Sequence, residues 1–427
     1  MSAKKVHSIL AILGTLILIG LTPGTASAAS PLYTPFLISD QAADITHSAI
    51  AYNSNNHLYL VVWCHQQAGS TAVFGRTVSE KGQLGPVYPI SETTGEANRC
   101  DPDVAYDSKH NNYLVVWQQQ TGASFTVHGK LFSPGSYLGN DIEINDALNV
   151  SNAATPPAVD YAYTSDEFLV VWAHWAGGNN SSIYSQRVRF DAVKIDGNFI
   201  IAQGQGSISA YDPDVAYNLA RNEYLVVYTR LDTNAPDGPN KDIFGWRIAY
   251  SPGGLVKLGS EIFVAYLTQQ DHHPAVAALP TPAPESGRYL VAYQMTWNDN
   301  SDYDIWGQIV FGDGSLMYDR YFSIQSTQAY ETMPAVAASQ ASGNFLVTWT
   351  ASSPPYIFKS IMARTVNPDS TKLADNPLGG FFADYSSVDA GRGGDFLVAA
   401  EDTTLFGNRD LYGMLAGNRV FIPQINK

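Results

Sequence analysis

The chain is punctuated by short runs in which apolar residues stand side by side instead of alternating with polar ones. Seven runs align: Leu58–Trp63, Tyr113–Trp117, Phe168–Trp172, Tyr224–Tyr228, Tyr289–Tyr293, Phe345–Trp349 and Phe396–Ala399. Six end in an aromatic residue or a close equivalent: Trp63, Trp117, Trp172, Tyr228, Tyr293 and Trp349, spaced by 54, 55, 56, 65 and 56 residues. Such a period marks an array of supersecondary units rather than a string of separate domains. No segment sustains a long helical period, so each run is read as a strand, here strand B.

The pattern around strand B repeats as well. Before it lies strand A, at Ala49–Tyr52, Asp103–Tyr106, Ala158–Tyr161, Asp214–Tyr217, Ala275–Ala278, Ala335–Ala338 and Ser387–Ala390. The A–B connections are rich in Asn, Ser, Asp and Gly, as hairpin turns require. After it comes strand C, ending in aromatic-Gly or a relic of it: Phe74-Gly75, His128-Gly129, Tyr184-Ser185, Phe244-Gly245, Trp306-Gly307, Ile361-Met362 and Tyr412-Gly413. Strand D follows at Tyr88–Ser91, Ile142–Asn145, Phe199–Ala202, Ile262–Ala265 and Tyr321–Gln325, with a poorly marked sixth copy in Leu378–Ala383. The clearest phrases, from Asp101 and from Asp212, both read D-P-D-V-A-Y before their B strands.

Four short strands per unit make a meander. A B strand apolar on successive residues is buried on both faces, whereas a half-exposed sandwich strand alternates. Blades packed face to face around an axis bury strands in that way, and Ala105, Ala216, Ala277 and Ala337 in strand A suit a crowded axis. The layout resembles the seven-bladed β-propellers as a structural class, over about the whole chain after residue 28. That resemblance implies an all-β fold of seven four-stranded antiparallel blades, one domain spanning residues 31–427. Phe36-Leu37-Ile38-Ser39 matches a D strand yet precedes the first A strand, so it is expected to close the ring on blade seven, with Val420–Ile425 beside it or in the reverse role. The WD40 Gly-His and Trp-Asp pair is missing, as is the S-x-D-x-G-x-T-W box of sialidase-like propellers. The Phe-Gly elements are similar to the integrin-type repeat, but most blades lack its Asp-rich calcium loop. The class alone does not choose a function.

Charge and cysteines narrow the setting. Lys4 and Lys5, the apolar Ile9–Leu21 and Ala26-Ser27-Ala28 read as a signal peptide over residues 1–28. Its apolar core is short for a membrane span, so no stable span is expected after cleavage and the protein is expected to be secreted or at the cell surface. The formal charge of -15 becomes -17 on losing the two lysines, since no acidic residue is removed. That argues against nucleic acid as a partner. The two cysteines suit one disulfide in an oxidising compartment. Cys64 tops strand B of blade one and Cys100 leads into strand A of blade two, on one face of adjacent blades. A monomer is expected.

In propellers the D–A and B–C loops open on one face around the channel mouth. The alignment puts His47, Asp101, Pro156, Asp212, His273, Met333 and Tyr385 in one ring there, with Thr46, Cys100, Thr155, Tyr211, His272, Thr332 and Asp384 one residue earlier. Histidines and carboxylates are metal and ligand donors, although Asp before Pro is also ordinary turn chemistry. From the ends of strand B come His65, Gln118 to Gln120, His174, Trp175, Arg230, Trp297, Glu401 and Asp402. Exposed Trp beside amides and carboxylates suits carbohydrate, while Trp packed between blades is the plainer alternative. The expected ligand residues are His47, His65, Asp101, His174, Trp175, Asp212, His273 and Trp297.

Asn298-x-Asn300-x-Asp302-x-Asp304 begins like a calcium loop but lacks the sixth-position Gly, and its twelfth residue is Ile309. No nucleophile-elbow, Walker, H-E-x-x-H or C-x-x-C motif is present, so no cofactor or metal is assigned. The favoured reading is a secreted binding module for an extracellular glycan or a surface protein. Next come a polysaccharide lyase or glycoside hydrolase using His65, His174, His273 or Tyr211 as acid and base, and a structural surface component.

Overall fold

The computed structural model describes residues 35–417, apart from 40–44, 68, 94–96, 147–154, 176–179, 267–268, 280–286, 298–301, 318–320, 353–358, 374–375, 380–382 and 404–408. It is a seven-bladed β-propeller: seven separate four-stranded antiparallel sheets, each a meander from inner strand A to outer strand D. Blade one comprises Ile45–Asn53, Leu58–Gln67, Ser70–Ser79 and Leu84–Pro89. Blade two comprises Asn98–Asp107, Asn112–Thr121, Ser124–Ser133 and Ser136–Glu143, and blade three Ala158–Ala162, Glu167–Trp175, Ser181–Arg189 and Lys194–Ala202. Blade four, with the longest strands, comprises Ile208–Asn218, Glu223–Asp232, Asn240–Ser251 and Gly254–Ala265. Blades five and six are Gln270–Leu279, Arg288–Thr296, Tyr303–Phe311, Phe322–Gln325 and Tyr330–Ser339, Asn344–Ser352, Lys359–Val366, Asn376–Gly379. The sixth D strand is thus Asn376–Gly379; Ala383 already belongs to blade seven.

Blade seven takes Ala383–Ala390, Asp395–Thr403 and Arg409–Gly417 from the end of the chain and its outer strand, Phe36–Ser39, from the beginning. The ring is therefore closed by the N-terminal strand, with Phe36 opposite Gly413 and Ser39 opposite Leu411. Val420–Ile425, the other candidate, lies outside the described residues.

The seven apolar clusters each span one blade junction. In blade two, Tyr113, Val115 and Trp117 pack towards blade one while Leu114 and Val116 pack towards blade three, all without solvent exposure. The unbroken apolar runs are explained by this two-sided burial. The recurring aromatic-Gly has a packing cause too. A Cβ on Gly129 would come within 3.2 Å of Ile144, and one on Gly307 within 2.8 Å of Ile324. Glycine leaves room for an isoleucine on or just beyond strand D to pack over strand C.

The tyrosine that closes strand A is also explained. Tyr106 and Tyr217 donate to the side-chain oxygens of Asn111 and Asn222 at 2.9 and 2.8 Å, and Tyr161 donates to Asp166 at 2.6 Å. Those acceptors end the A–B turn with φ of 57°, 53° and 62°, a left-handed conformation that Asn and Asp tolerate better than most residues. Facing the axis, Asp103, Asp160, Asp214 and Asp389 line a central cavity of about 470 Å³. Its wall is otherwise mostly Ala and Val of strand A, and it reaches the A–B turns at Ser54, Ser108, Tyr163, Leu219 and Gln340.

Candidate functional site

Five of the seven predicted mouth positions share one backbone device. In strand A the pairing register shifts between Thr46 and Ala49, Cys100 and Asp103, Tyr211 and Asp214, His272 and Ala275, and Thr332 and Ala335. Each shift is a β-bulge, and its first residue is left-handed: φ is 52° at His47 and Asp101, 50° at Asp212, 51° at His273 and 54° at Met333. A proline follows four of the five, where the bulge has released an amide from the ladder. Because Met333 adopts the same φ as the histidines and aspartates, the bulge fixes the conformation and leaves the side chain free to vary.

Across two blade junctions the side chains form the same pair. His47 Nδ1 lies 3.1 Å from an Asp101 carboxylate oxygen, joining blades one and two. His273 Nδ1 lies 3.1 Å from an Asp212 carboxylate oxygen, joining blades four and five. In both pairs the histidine is the more exposed partner. The His47 ring also sits 5.5 Å from Tyr385 of blade seven. Burial raises the Asp101 carboxyl, and His47 opposes that shift. Behind His273, the His272 ring is 4.6 Å away and its Nε2 meets the Thr296 hydroxyl at 2.9 Å. Burial, with His273 and Lys241 nearby, pushes His272 down to about 3, which leaves it neutral.

The remaining predicted residues are placed elsewhere. Strand B runs further than its apolar core, so His65, His174 and Trp175 lie within strands and not in loops. His65 is buried edge-on to Phe74, and His174 edge-on to Tyr184. Burial lowers both histidines. Neither is brought to a His–Asp pair, and both act as packing between strands B and C. Trp175 is half-buried at the end of its strand, opposite Ser181. Trp297 is exposed, with its indole N–H donating to Asp304 at 2.8 Å. Asp304 also accepts from Ser326 and is buried, so the last acid of the calcium-like stretch is tied into the blade. Asn298 and Asn300 lie outside the described residues.

Two His and acid groups have donor atoms close enough together for a metal, among the described residues. The first, His47 with Cys100 and Asp101, is not a free donor set, because Cys100 is bonded to Cys64 with Cα atoms 5.0 Å apart. The second is Asp107, His110 and Asp166 on the A–B side. There His110 Nδ1 meets Asp107 at 2.7 Å and its ring stacks on Phe190. In blade one Asn53 and Asn56 hold the positions of Asp107 and His110, and Asn53 bonds the turn amides as Asp107 does. Turn construction therefore accounts for the second group.

Two features lay beyond the sequence reading. One is the ring of four channel aspartates, signalled only by an acid at inner-strand positions where the other copies carry Ala or, at Ser387, Ser. The other is a pocket of about 330 Å³ between blades three and four, on the D–A and B–C side. It is lined by Gln203, Gln205, Tyr228, Arg230 and Glu261 with Ala202, Ile208 and Ala210. Arg230 Nη1 bonds Glu261 at 3.1 Å, and the Tyr228 hydroxyl donates to the other oxygen of Glu261.

The ring of seven four-stranded sheets defines a seven-bladed β-propeller. No protein-family model and no curated protein matches the chain. Among solved structures it is similar to a protein of unknown function from Dyadobacter fermentans DSM 18053, at 10% identity and a TM-score of 0.53, over 91% of this chain and 100% of that one. It also overlaps the intramolecular trans-sialidase from Ruminococcus gnavus (8% identity, TM-score 0.46, 92% and 98% covered). The Dos1 propeller overlaps at 9% identity and a TM-score of 0.43, with 74% and 72% covered. Likeness at these identities is likeness of fold.

Proposed function

We propose that this chain is an extracytoplasmic recognition module that binds an extracellular glycan at the D–A and B–C face. The observation that carries the reading is the His–Asp pair built twice across blade junctions at the channel mouth. Each pair presents a polar, partly exposed edge with an imidazole nitrogen left over among the described residues, suited to hydroxyl pairs. The backbone beneath is held by a bulge that is indifferent to side-chain type, so these positions are free for binding at little cost to the fold. The signal-like N-terminal segment, the acidic charge and the disulfide favour an extracytoplasmic setting.

Binding to a printed glycan array, with His273→Ala and Asp212→Asn as variants, tests the reading. Loss of a wild-type glycan signal in both, with unchanged melting, is the expected result; no glycan signal from the wild type would overturn it. A second reading, a polysaccharide lyase or hydrolase, is favoured by one feature: a carboxylate on Nδ1 can orient a histidine as a general base at Nε2. New reducing or unsaturated sugar ends on incubation with polysaccharides would decide for it.

A further inference from the structure

The pocket between blades three and four is separate from the channel mouth, and its chemistry is more specific. Its two charged side chains, Arg230 and Glu261, neutralise each other and stay partly open to solvent. Tyr228 holds the second Glu261 oxygen, and the Arg230 guanidinium stacks 4.5 Å from the centre of the Phe244 ring. Two amides, Gln203 and Gln205, complete the polar lining. Such a lining has no uncompensated charge to offer an ion.

Beside it stands an aromatic ledge. Phe263, on the same strand as Glu261 and two residues on, packs 5.0 Å from Phe244 and is 54% exposed. Tyr266 lies edge-on to it at 5.9 Å and is 64% exposed. These are the two most exposed large hydrophobic side chains among the described residues. Neither is needed to fill the blade core. A large ring left in water beside a fixed polar cluster marks a binding surface more than a packing one.

The rim is held in place before any ligand arrives. Gln205 and Ile208 exchange both backbone hydrogen bonds at 3.0 Å, and Gly204 N donates to the Ser182 hydroxyl at 2.9 Å. A Cβ on Gly204 would fall 2.1 Å from the Ser181 carbonyl oxygen, so only glycine lets the two glutamines turn over the pocket. A pinned rim lowers the ordering cost of binding.

We infer that this pocket is a saccharide subsite selective for an uncharged sugar, whose ring stacks on the Phe263 and Tyr266 ledge while its hydroxyls meet Arg230, Glu261 and the two glutamines. Apolar stacking combined with a few fixed polar groups is how concave sites take small polar ligands, and about 330 Å³ is at the small end of such sites. An anionic sugar would bring a charge that Arg230, already paired, cannot neutralise without breaking the Glu261 contact.

This inference rests on the glycan reading only for the class of ligand, and one experiment separates the two. Titration calorimetry would use full-length protein with maltoheptaose, cellohexaose, mannohexaose and β-1,3-glucan hexaose as neutral probes, and oligogalacturonate as the anionic probe. At least one neutral probe should bind. Phe263→Ala and Tyr266→Ala should each weaken it about tenfold with melting unchanged, and Leu373→Ala, at an exposed apolar residue of blade six, should leave it within about twofold. Glu261→Gln, which keeps a partner for Tyr228 but frees Arg230, should raise the affinity for oligogalacturonate relative to the neutral probe. If a neutral probe binds but the ledge variants and Glu261→Gln change nothing while His273→Ala abolishes binding, the pocket is not the subsite and the glycan reading stands. If neither neutral nor anionic sugar binds the wild type, both are overturned.

Discussion

The Asp160 carboxylate of blade three accepts a 2.7 Å hydrogen bond from the backbone amide of Tyr217 in blade four. Asp103 does the same to Val159, Asp214 to Val276 and Asp389 to Tyr52, at 2.8, 2.7 and 2.7 Å. Adjacent blades share no sheet, so the amides that strand A turns towards the next blade have no ladder partner. An aspartate one position earlier in the neighbouring blade supplies one. Four of the seven junctions are stapled in this way from inside the channel.

The staples predict a stability that falls with rising pH. Burial pushes Asp103, Asp214 and Asp389 up to about 7 and Asp160 up to about 6, and repulsion from other channel aspartates adds to the rise at Asp103, Asp214 and Asp389. The folded chain then holds protons that unfolded aspartates, near 3.8, have released. Their contribution is full below about pH 4 and is lost as the pH climbs through 6 to 7. Glu401, pushed to about 8 by burial, acts with the same sign. Thermal melts between pH 5 and 8 should show a decline, and Asp160→Asn should flatten it while costing ~1 kcal/mol at pH 5, since an amide has one accepting oxygen where the carboxyl has two. A melting temperature that climbs steadily from pH 5 to 8 would contradict this account.

The disulfide gives a second expectation. Cys64 and Cys100 join blades one and two across 36 residues, and Cys100 Sγ lies 3.8 Å from His47 Nδ1. Removing the link with Cys64→Ser and Cys100→Ser should cost roughly 3–4 kcal/mol in the chain-entropy picture. Denaturant melts of oxidised, reduced and doubly substituted protein measure it. Reduced and substituted proteins should agree; equal stability of all three forms would leave the bond without a structural role.

A third expectation concerns the buried ion pairs of blades three and four. Arg187 makes three bonds of 2.6–3.0 Å to Glu167, and Arg247 makes two of 2.7 Å to Glu223. Both glutamates are almost wholly buried. Glu223→Ala would strand a guanidinium that keeps, among the described residues, only a carbonyl partner, Asp313 O, at 2.6 Å. A loss of ~3–5 kcal/mol is expected, and the charge-free double variant Glu223→Leu with Arg247→Met should recover much of it. Urea denaturation of the single and double variants tests whether the stranded charge, and not lost packing, is the cause.

The architecture was legible in the sequence because burial acts on every residue of strand B. Tyr113 to Trp117 must satisfy two neighbouring blades at once, and five adjacent apolar side chains record that demand. The Gly of strand C and the Tyr of strand A were visible as repeats, though only the structure gives their causes, room for the Ile over strand C and a bond across the A–B turn. The site was less legible. Asp101 and Asp212 align with His47 and His273, but their pairing across blades depends on a bulge whose left-handed residue the sequence marks only by a following proline, and at His47, which precedes Ser48, not even by that. His65 and His174 looked like loop residues because strand B continues past its apolar core into polar sequence. Arg230 and Glu261 lie 31 residues apart by number, on strands B and D of one blade, and no local pattern joins them.

The closing strand carries the last prediction. Phe36–Ser39 pairs with Arg409–Gly417, and nothing else among the described residues covers that edge. Ile38 is fully buried in the cluster of Tyr59, Val61, Trp63, Leu397 and Leu411, and its carbonyl accepts a 2.7 Å bond from Arg76 of blade one. The short strand therefore ties the last blade to the first by backbone pairing, by an apolar plug and by a side-chain bond. Ile38→Ala should cost ~2–5 kcal/mol, the usual range for a large-to-small change in a core. Deleting residues up to Ser39 should lower the melting temperature further and leave an unpaired edge open to association with other copies. Gly413→Val should reproduce part of the deletion, because a Cβ there would sit 2.6 Å from the Phe36 ring. Melting curves and light scattering on the three variants measure both effects. A deletion variant that melts with the full chain and stays monomeric would show that the ring closes without Phe36–Ser39.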